Sequence, residues 1–501
     1  MNGCCSEAQS GVDTRIARHL PEIYLCVAVF LTSALCLLTP PFLIPDEIAH
    51  SLREIQIGNG GFIGVRSQEG VGGWVDESAS IELWNRVWGT QSELLQRYPN
   101  IFDRPDGRVT EAQLSSFRKI RWARRPIFVA FQNTAIYPPL LYLPQAAGWR
   151  IGQAADLTVW HSLLLARWLA ALCAVAIGWL ALRLCPSGRW QLCAYLLLPT
   201  TLGLNASCSQ DALLFSVAGL VLAVLLRALH ARRLFTFAEL TAVIGLLAVC
   251  ITARPPYLPL ALLLFLPALA VRSTSWRQFL PAGAGLVVIA GVLGAWEILV
   301  HPLGIFIHPL AHPALQAAFL RAHPLQGFVT LLIGTVVYPP LNVASGLEVL
   351  GNLDVYPPLL IYALLGTGLT GIALLAPMAG SISRRAHATL LFALVAVCAA
   401  IALAEYIAFT PPGASWIGCL QARYYLPLLP FFFLLLQHYI PRSEDAGRQP
   451  SAFSLLDQRR GRLLFLAGVI FLAGVLYTPW EAAHGFYNMG LISAFRVIAL
   501  W

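Results

Sequence analysis

Long apolar runs separated by short polar stretches alternate along most of the chain. The first covers residues 23–41, and others lie near 160–182, 190–204, 210–228, 237–253, 256–271, 279–300, 357–377, 388–409, 421–440 and 463–480. A helix needs about 20 apolar residues to cross the hydrocarbon core, so this pattern predicts a bundle of transmembrane helices. Residues 43 to about 135 break it and predict a long polar loop, with glycine-rich turns at 58–64 and 70–73. Inside that loop Leu114, Phe117 and Ile120 recur every three positions, the mark of an amphipathic helix lying in the interface plane.

Composition agrees with the pattern. Of 501 residues, 57% are hydrophobic and only 12% charged, whereas soluble chains carry roughly a quarter charged residues. The expected class is an all-α polytopic membrane protein, one integral domain rather than a string of soluble ones. The net charge of +8 is carried almost wholly by arginine, since Lys119 is the only lysine. In a membrane chain that excess reads as a topology signal, and nucleic acid is not an expected partner. Eleven cysteines are scattered with no CxxC spacing, mostly inside apolar runs, and read as small core residues.

Charge then orders the spans. Arg15, Arg18 and His19 precede the first run, which puts the N-terminus in the cytoplasm and Asp46 outside. No small-residue cleavage site follows the run, so it reads as an uncleaved signal anchor. If residues 137–151 and 326–341 are re-entrant or interfacial, Arg183, Arg189, Arg227, Arg233, Arg384 and Arg460 all face the cytoplasm. The orientation rule thus favours about eleven spans, or up to thirteen if both segments cross. The expected parts are a cytoplasmic 1–22, a membrane domain over 23–480 that includes the loop 43–135, and a tail over 481–501. All six Pro-Pro pairs then fall at the outer face.

The same face gathers Asp46, Glu47, His50, Arg53, Asp211, Arg254, Glu297, Glu348, Asp354, Glu405 and Arg423. Asp46 and Glu47 stand at the mouth of the first span, where a carboxylate is costly to desolvate and marks a candidate site. The plainer reading is that Asp46 caps the helix that follows it. Asp211, after Ser209, reads either as a cap or as a binding group, and Asp354 sits in a turn-like Gly-Asn-Leu-Asp segment. The basic cluster of Arg118, Lys119, Arg121, Arg124 and Arg125 suits anchoring to membrane lipids or the collection of an anionic lipid. His308 and His312 have the spacing of a helical metal pair, but the prolines after them disfavour a regular helix.

Five motifs in order carry a resemblance: Ile44-Pro45-Asp46-Glu47-Ile48-Ala49-His50 with Arg53 and Gln56; Tyr137-Pro138-Pro139-Leu140-Leu141-Tyr142-Leu143-Pro144-Gln145; Ser207-Cys208-Ser209-Gln210-Asp211; Gly351-Asn352-Leu353-Asp354; and Gln421-Ala422-Arg423-Tyr424-Tyr425-Leu426-Pro427. Over residues 25–440 the chain resembles a bacterial polytopic family of unknown function grouped with the GT-C glycosyltransferases. The resemblance implies a GT-C-like bundle that moves a sugar from a polyprenyl-phosphate donor to a glycan or lipid-linked acceptor. It implies an acidic residue of the first outer loop as base or metal ligand. Such chemistry needs a carboxylate to take the acceptor's proton and cations to hold the departing phosphate. Asp46 is the expected base, and Glu47 a ligand for the acceptor or for a divalent cation such as Mg2+ or Mn2+. His50, Arg53, Tyr137, Gln145, Asp211, Arg254, Asp354, Arg423 and Tyr424 are the expected substrate-binding residues. A transporter or flippase of polyprenyl-linked sugars, or a non-catalytic part of an envelope-assembly complex, would use the same outer face without chemistry.

Overall fold

A computed structural model describes residues 13–79, 111–271, 275–341, 346–351, 355–378, 382–436 and 450–499. The first half holds α1 (Asp13–Leu38), α2 (Glu47–Gly58), α3 (Glu111–Arg118), α4 (Leu143–Ala154), α5 (Val159–Leu184), α6 (Arg189–Leu196), α7 (Pro199–Asn205), α8 (Asp211–His230) and α9 (Phe237–Ala253). After a 3-10 stretch at Pro255–Phe265 come α10 (Leu266–Ala270), α11 (Leu280–Val300), α12 (Pro313–Ala322), α13 (Pro324–Val336) and α14 (Tyr338–Leu341). The chain then forms α15 (Leu359–Leu375), α16 (Arg384–Ala408), α17 (Leu429–Leu436), α18 (Pro450–Tyr487) and α19 (Leu491–Ala499).

Six helical stretches among the described residues are long and apolar enough to cross a membrane: 16–38, 159–184, 211–230, 276–303, 384–408 and 459–487. Five shorter apolar helices accompany them, at 237–253, 255–270, 324–336, 359–375 and 422–436. Length therefore does not establish the expected tally of eleven. The run at 190–204 is cut by Pro199 into α6 and α7, of 8 and 7 residues. α4 and α13, with 12 and 13 residues, reach only about 18 to 20 Å and fall short of the roughly 30 Å core.

α8 is the hub. It is almost wholly buried, packs along α5 and α9, and presents Asp211 in its first turn. α5 is flanked by α1 and α4, while α15 lies along α18 and α16 lies along the 3-10 stretch. Small residues permit the close crossings, as expected where helices lack a hydrophobic drive to associate in lipid. A Cβ on Gly148 of α4 would sit 2.4 Å from the Cα of Ala166 on α5, and one on Gly368 of α15 would sit 2.6 Å from the backbone N of Phe471 on α18.

The described parts of the loop 43–135 correct two expectations. The fold is 73% helical but not purely so. β1 (Val65–Ser67), β2 (Gly70–Asp76) and β3 (Pro126–Ala130) form an antiparallel sheet in that order, with Val65 opposite Gly72 and Gly72 opposite Ala130. β2 carries Gly72 where the partner's backbone approaches so closely that no side chain fits, a signal that hides strand character from a periodicity reading. The second correction concerns α3. Its Leu114 and Phe117 face the protein instead of lipid, with Phe117 edge-on to Phe42 at 5.5 Å and to Trp160 at 6.2 Å.

Gly148→Leu should force α4 off α5, because the obstruction is backbone that cannot rotate away. The expected result is loss of monodisperse detergent-extracted protein by size-exclusion chromatography, while Gly245→Leu, where a Cβ meets nothing within 4 Å, elutes like wild type.

Candidate functional site

α1 ends at Leu38 and the chain turns back through Pro40–Asp46 before α2 starts. Phe42 and Asp46 hold positive φ of 63° and 61°, a region costly for most residues and tolerated by aspartate. Asp46 is the residue before α2, yet its side chain makes no capping hydrogen bond. The capping reading is therefore wrong. Its Oδ2 instead accepts from Arg423 Nη2 at 2.6 Å.

From there charges alternate across the bundle. Arg423 Nη1 lies 3.7 Å from Asp211 Oδ2, and Asp211 Oδ1 accepts from Arg254 Nη2 at 2.5 Å. Both guanidinium groups lie over the Tyr424 ring, at 4.6 Å for Arg254 and 5.4 Å for Arg423. The Tyr424 carbonyl is fixed by the Tyr257 hydroxyl at 2.7 Å. At the entry to α8 the Ser209 Oγ accepts from the Asp211 N–H, which leaves the Asp211 carboxylate for the arginines. Of this chain Asp46 is the open end: its side chain is 46% exposed, against 5% for Arg423, 16% for Arg254 and 1% for Asp211. Burial pushes the Asp46 carboxyl up, but Arg423 and Arg254 outweigh it and hold the group below the ordinary carboxylate value.

His50 lies one turn into α2 with its Nδ1 2.7 Å from the Tyr142 hydroxyl and its ring stacked on Tyr137 at 6.2 Å. Burial lowers its pKa to about 4 against the pull of Asp46 and Asp211. The imidazole is therefore neutral at neutral pH. Glu405 of α16 lies in the electrostatic field of Arg254, Arg423 and Asp46, and its Oε2 has no hydrogen-bond partner among the described residues.

Two expected site residues turn elsewhere. Glu47 is fully buried against Arg167 of α5. Its Oε1 accepts from Arg167 Nε at 2.8 Å and from the Cys208 N–H at 3.0 Å; its Oε2 accepts from Arg167 Nη2 at 2.6 Å and from the Phe42 N–H at 2.9 Å. Arg167 spends its other donors on the carbonyls of Cys36, Thr39 and Pro40. Arg53 likewise holds loop backbone, donating to Gln56 Oε1 and to the carbonyls of Gly61, Phe62 and Tyr137. Gln145 is buried and donates to the Ser209 carbonyl at 2.9 Å, behind Asp211. Asp354 lies outside the described residues.

A divalent cation on Asp46 and Glu47 does not fit this arrangement. Glu47 has both oxygens engaged, Asp46 holds Arg423, and no three His, Cys, Asp or Glu side chains gather at metal-binding geometry among the described residues. Arg167 was the residue sequence reasoning missed. Its signal was a lone arginine eight positions into the apolar run that opens at Val159, a placement that demands a buried partner. Glu54 was also missed. Its Oε2 accepts from the Trp149 indole at 2.9 Å, and burial holds its carboxyl well above the usual range.

The turn that positions Arg423 also borders a groove. Ala422 and Tyr425 line an apolar cavity of about 460 Å3 with residues of α13, α15, α16 and α17, including Val336, Leu369, Cys398 and Phe432. The helices and this buried charged cluster define a multi-pass membrane protein with a polar site set inside its apolar bundle. Residues 29–432 match the family described as predicted membrane protein (DUF2142), and the chain belongs to that family. No curated protein matches it.

Glu47→Gln should be severely destabilising, by about 3–5 kcal/mol, because it leaves the Arg167 guanidinium buried without its counter-ion. The expected readout is a large fall in the thermal midpoint of purified protein. His50 gives a pH dependence. The unfolded chain takes up a proton near pH 6.5 that the folded chain refuses until about 4, so stability is full above 6.5 and declines as pH falls toward 4. Thermal unfolding from pH 7 to 4 should show a shallower decline for His50→Gln than for wild type.

Proposed function

We propose that the protein is a GT-C-type glycosyltransferase of the bacterial inner membrane, with its N-terminus in the cytoplasm and its site open to the exoplasmic side. It moves a sugar from a polyprenyl-phosphate carrier to an envelope glycan or lipid-linked acceptor. The observation that carries this reading is that Arg254 and the buried Arg423, both over the Tyr424 ring, meet the accessible Asp46 carboxylate where the turn Ala422–Tyr425 also borders an apolar groove. A phosphate bound by arginine and tied to a long apolar chain is the ligand such a junction suits.

The chemistry balances on these groups. Asp46 accepts the proton of an acceptor hydroxyl, whose oxygen attacks the anomeric carbon. The bond from that carbon to the phosphate oxygen breaks, and its electron pair leaves with the polyprenyl phosphate. Arg423 and Arg254 offset the charge that develops on the phosphate, and guanidinium suits this role because it stays ionised in a dry site. Each has a buried Nε–H with no partner among the described residues, donor capacity that a phosphate would use. A carboxylate held below its usual pKa is ionised and ready, at the cost of being a weaker base.

The test compares envelope glycans and polyprenyl-linked intermediates by mass spectrometry in a deletion strain that carries wild type or Asp46→Asn. Loss of a base costs typically 10²–10⁴ in rate, so the sugar missing from the deletion should return with wild type only, at matched membrane levels of both proteins. Restoration by both would remove Asp46 from the chemistry and favour a carrier of lipid-linked sugars or a structural component.

A further inference from the structure

The outer loop carries a second cleft, of about 600 Å3, at the far end of α2. Asp46 precedes the first residue of α2 and Asn59 follows its last, so the helix sets the two sites about 18 Å apart. Asn59, Trp74, Trp122, Arg124, Arg150 and Gln153 are among the residues around the cleft. The volume falls within the range of small-molecule sites.

Its chemistry is specific. Trp74 is 57% exposed in spite of its size and is braced edge-on by Phe128 at 6.0 Å, so an aromatic surface is held in water. Trp122 beneath is rigid, because its indole N–H donates to Ser162 Oγ at 3.1 Å and its ring meets Trp149 edge-on at 5.9 Å. Asn59 and Gln153 add amides that both donate and accept. Arg124 is engaged with Asp156 at 3.0 Å, whereas Arg150 is exposed and has no ion pair among the described residues. Asp76 also lines the cleft; its Oδ1 accepts from Ser78 N, Ser78 Oγ and Ala123 N, and no ion pair joins it to Arg150 among the described residues. On the cleft side Trp74 has Asn59, Gln153 and two guanidinium groups for neighbours, while Phe128 and the exposed Val65 share its face of the sheet.

We propose that this cleft binds an oligosaccharide bearing uronate groups, with a sugar ring against Trp74 and a carboxylate on Arg150. Tryptophan offers the C–H face of a pyranose a large apolar surface at small entropic cost, amides match hydroxyls, and a guanidinium fork matches a carboxylate. The proposal goes beyond the transferase reading and requires no chemistry at Asp46.

The experiment uses full-length protein in phosphatidylcholine nanodiscs, titrated calorimetrically with a hyaluronan tetrasaccharide and with chitotetraose as its uncharged counterpart. Wild type should bind both saturably and the uronate oligomer more tightly. Trp74→Ala should weaken both by tenfold or more. Arg150→Gln should weaken the uronate oligomer at least fivefold and leave chitotetraose unchanged. Absence of saturable binding, or binding indifferent to both substitutions, overturns the proposal. So does strong quenching of Trp74 by brominated phosphatidylcholine, read as the difference between wild type and Trp74→Phe, which would make the cleft a lipid-headgroup contact. Binding is read without turnover, so its failure and that of the transferase reading are separate results.

Discussion

The fold around the site depends on one buried ion pair, Glu47 with Arg167. Two charges removed from water repay their desolvation only with close geometry and a full set of hydrogen bonds. Arg167 meets that condition, because Glu47 and three carbonyls take all five of its N–H groups. Those carbonyls belong to Cys36, Thr39 and Pro40, the end of α1 and the start of the return. The glutamate in turn accepts from the Phe42 and Cys208 N–H groups. One pair thus joins α1, the Pro40–Asp46 turn, α2, α5 and the connection between α7 and α8. Arg167 lies eight residues beyond Val159, about 12 Å along α5, so the turn is drawn down into the bundle.

That constraint decides what Asp46 can do. With Glu47 fixed toward Arg167, the neighbouring aspartate in its left-handed conformation faces the opposite way, toward Arg423. The two adjacent carboxylates are therefore not a pair. One is structural and sealed; the other is accessible and coupled to a chain of alternating charges that ends at Arg254. The chain stays ionised within an apolar bundle because each member faces an opposite charge, and the positive end of the α8 dipole helps to hold Asp211.

Much of this was legible in the sequence, for identifiable reasons. A membrane-embedded carboxylate or arginine is expensive, so Asp46, Asp211, Arg254 and Arg423 were conspicuous against their apolar surroundings, and the structure brings all four together. What separated Glu47 from Asp46 was not legible, since it rests on the sign of φ at one residue and on a partner 120 positions away. Arg53 was conspicuous too, but charge alone does not distinguish a group that binds a ligand from one that ties down loop carbonyls. The sheet was hidden because β2 reads Gly-Val-Gly-Gly-Trp-Val-Asp, with glycine where a strand shows β-branched side chains. The apolar run at 190–204 gave hydropathy without revealing the break that Pro199 imposes.

α2 explains why the Asp46 cluster, its support and the loop can be assembled from so short a segment. Its buried residues include Glu47, His50, Arg53, Glu54 and Gln56, an unusual polar load for a helix packed inside a protein. Each is held by a neighbour, Glu47 by α5, His50 by Tyr142, Arg53 and Gln56 by the backbone of the following loop, and Glu54 by Trp149 of α4, while Arg53 Nε and Glu54 Oε1 have no partner among the described residues. A helix buried through an apolar face could slide or rotate at little cost. One held by five separate polar contacts cannot, because any shift leaves several buried groups unpaired at once, each at about 1–3 kcal/mol or more. The polar residues of α2 thus trade hydrophobic stabilisation for a fixed register, and it is that register which sets Asp46 against the arginines at one end and Asn59 beside the tryptophan-lined cleft at the other.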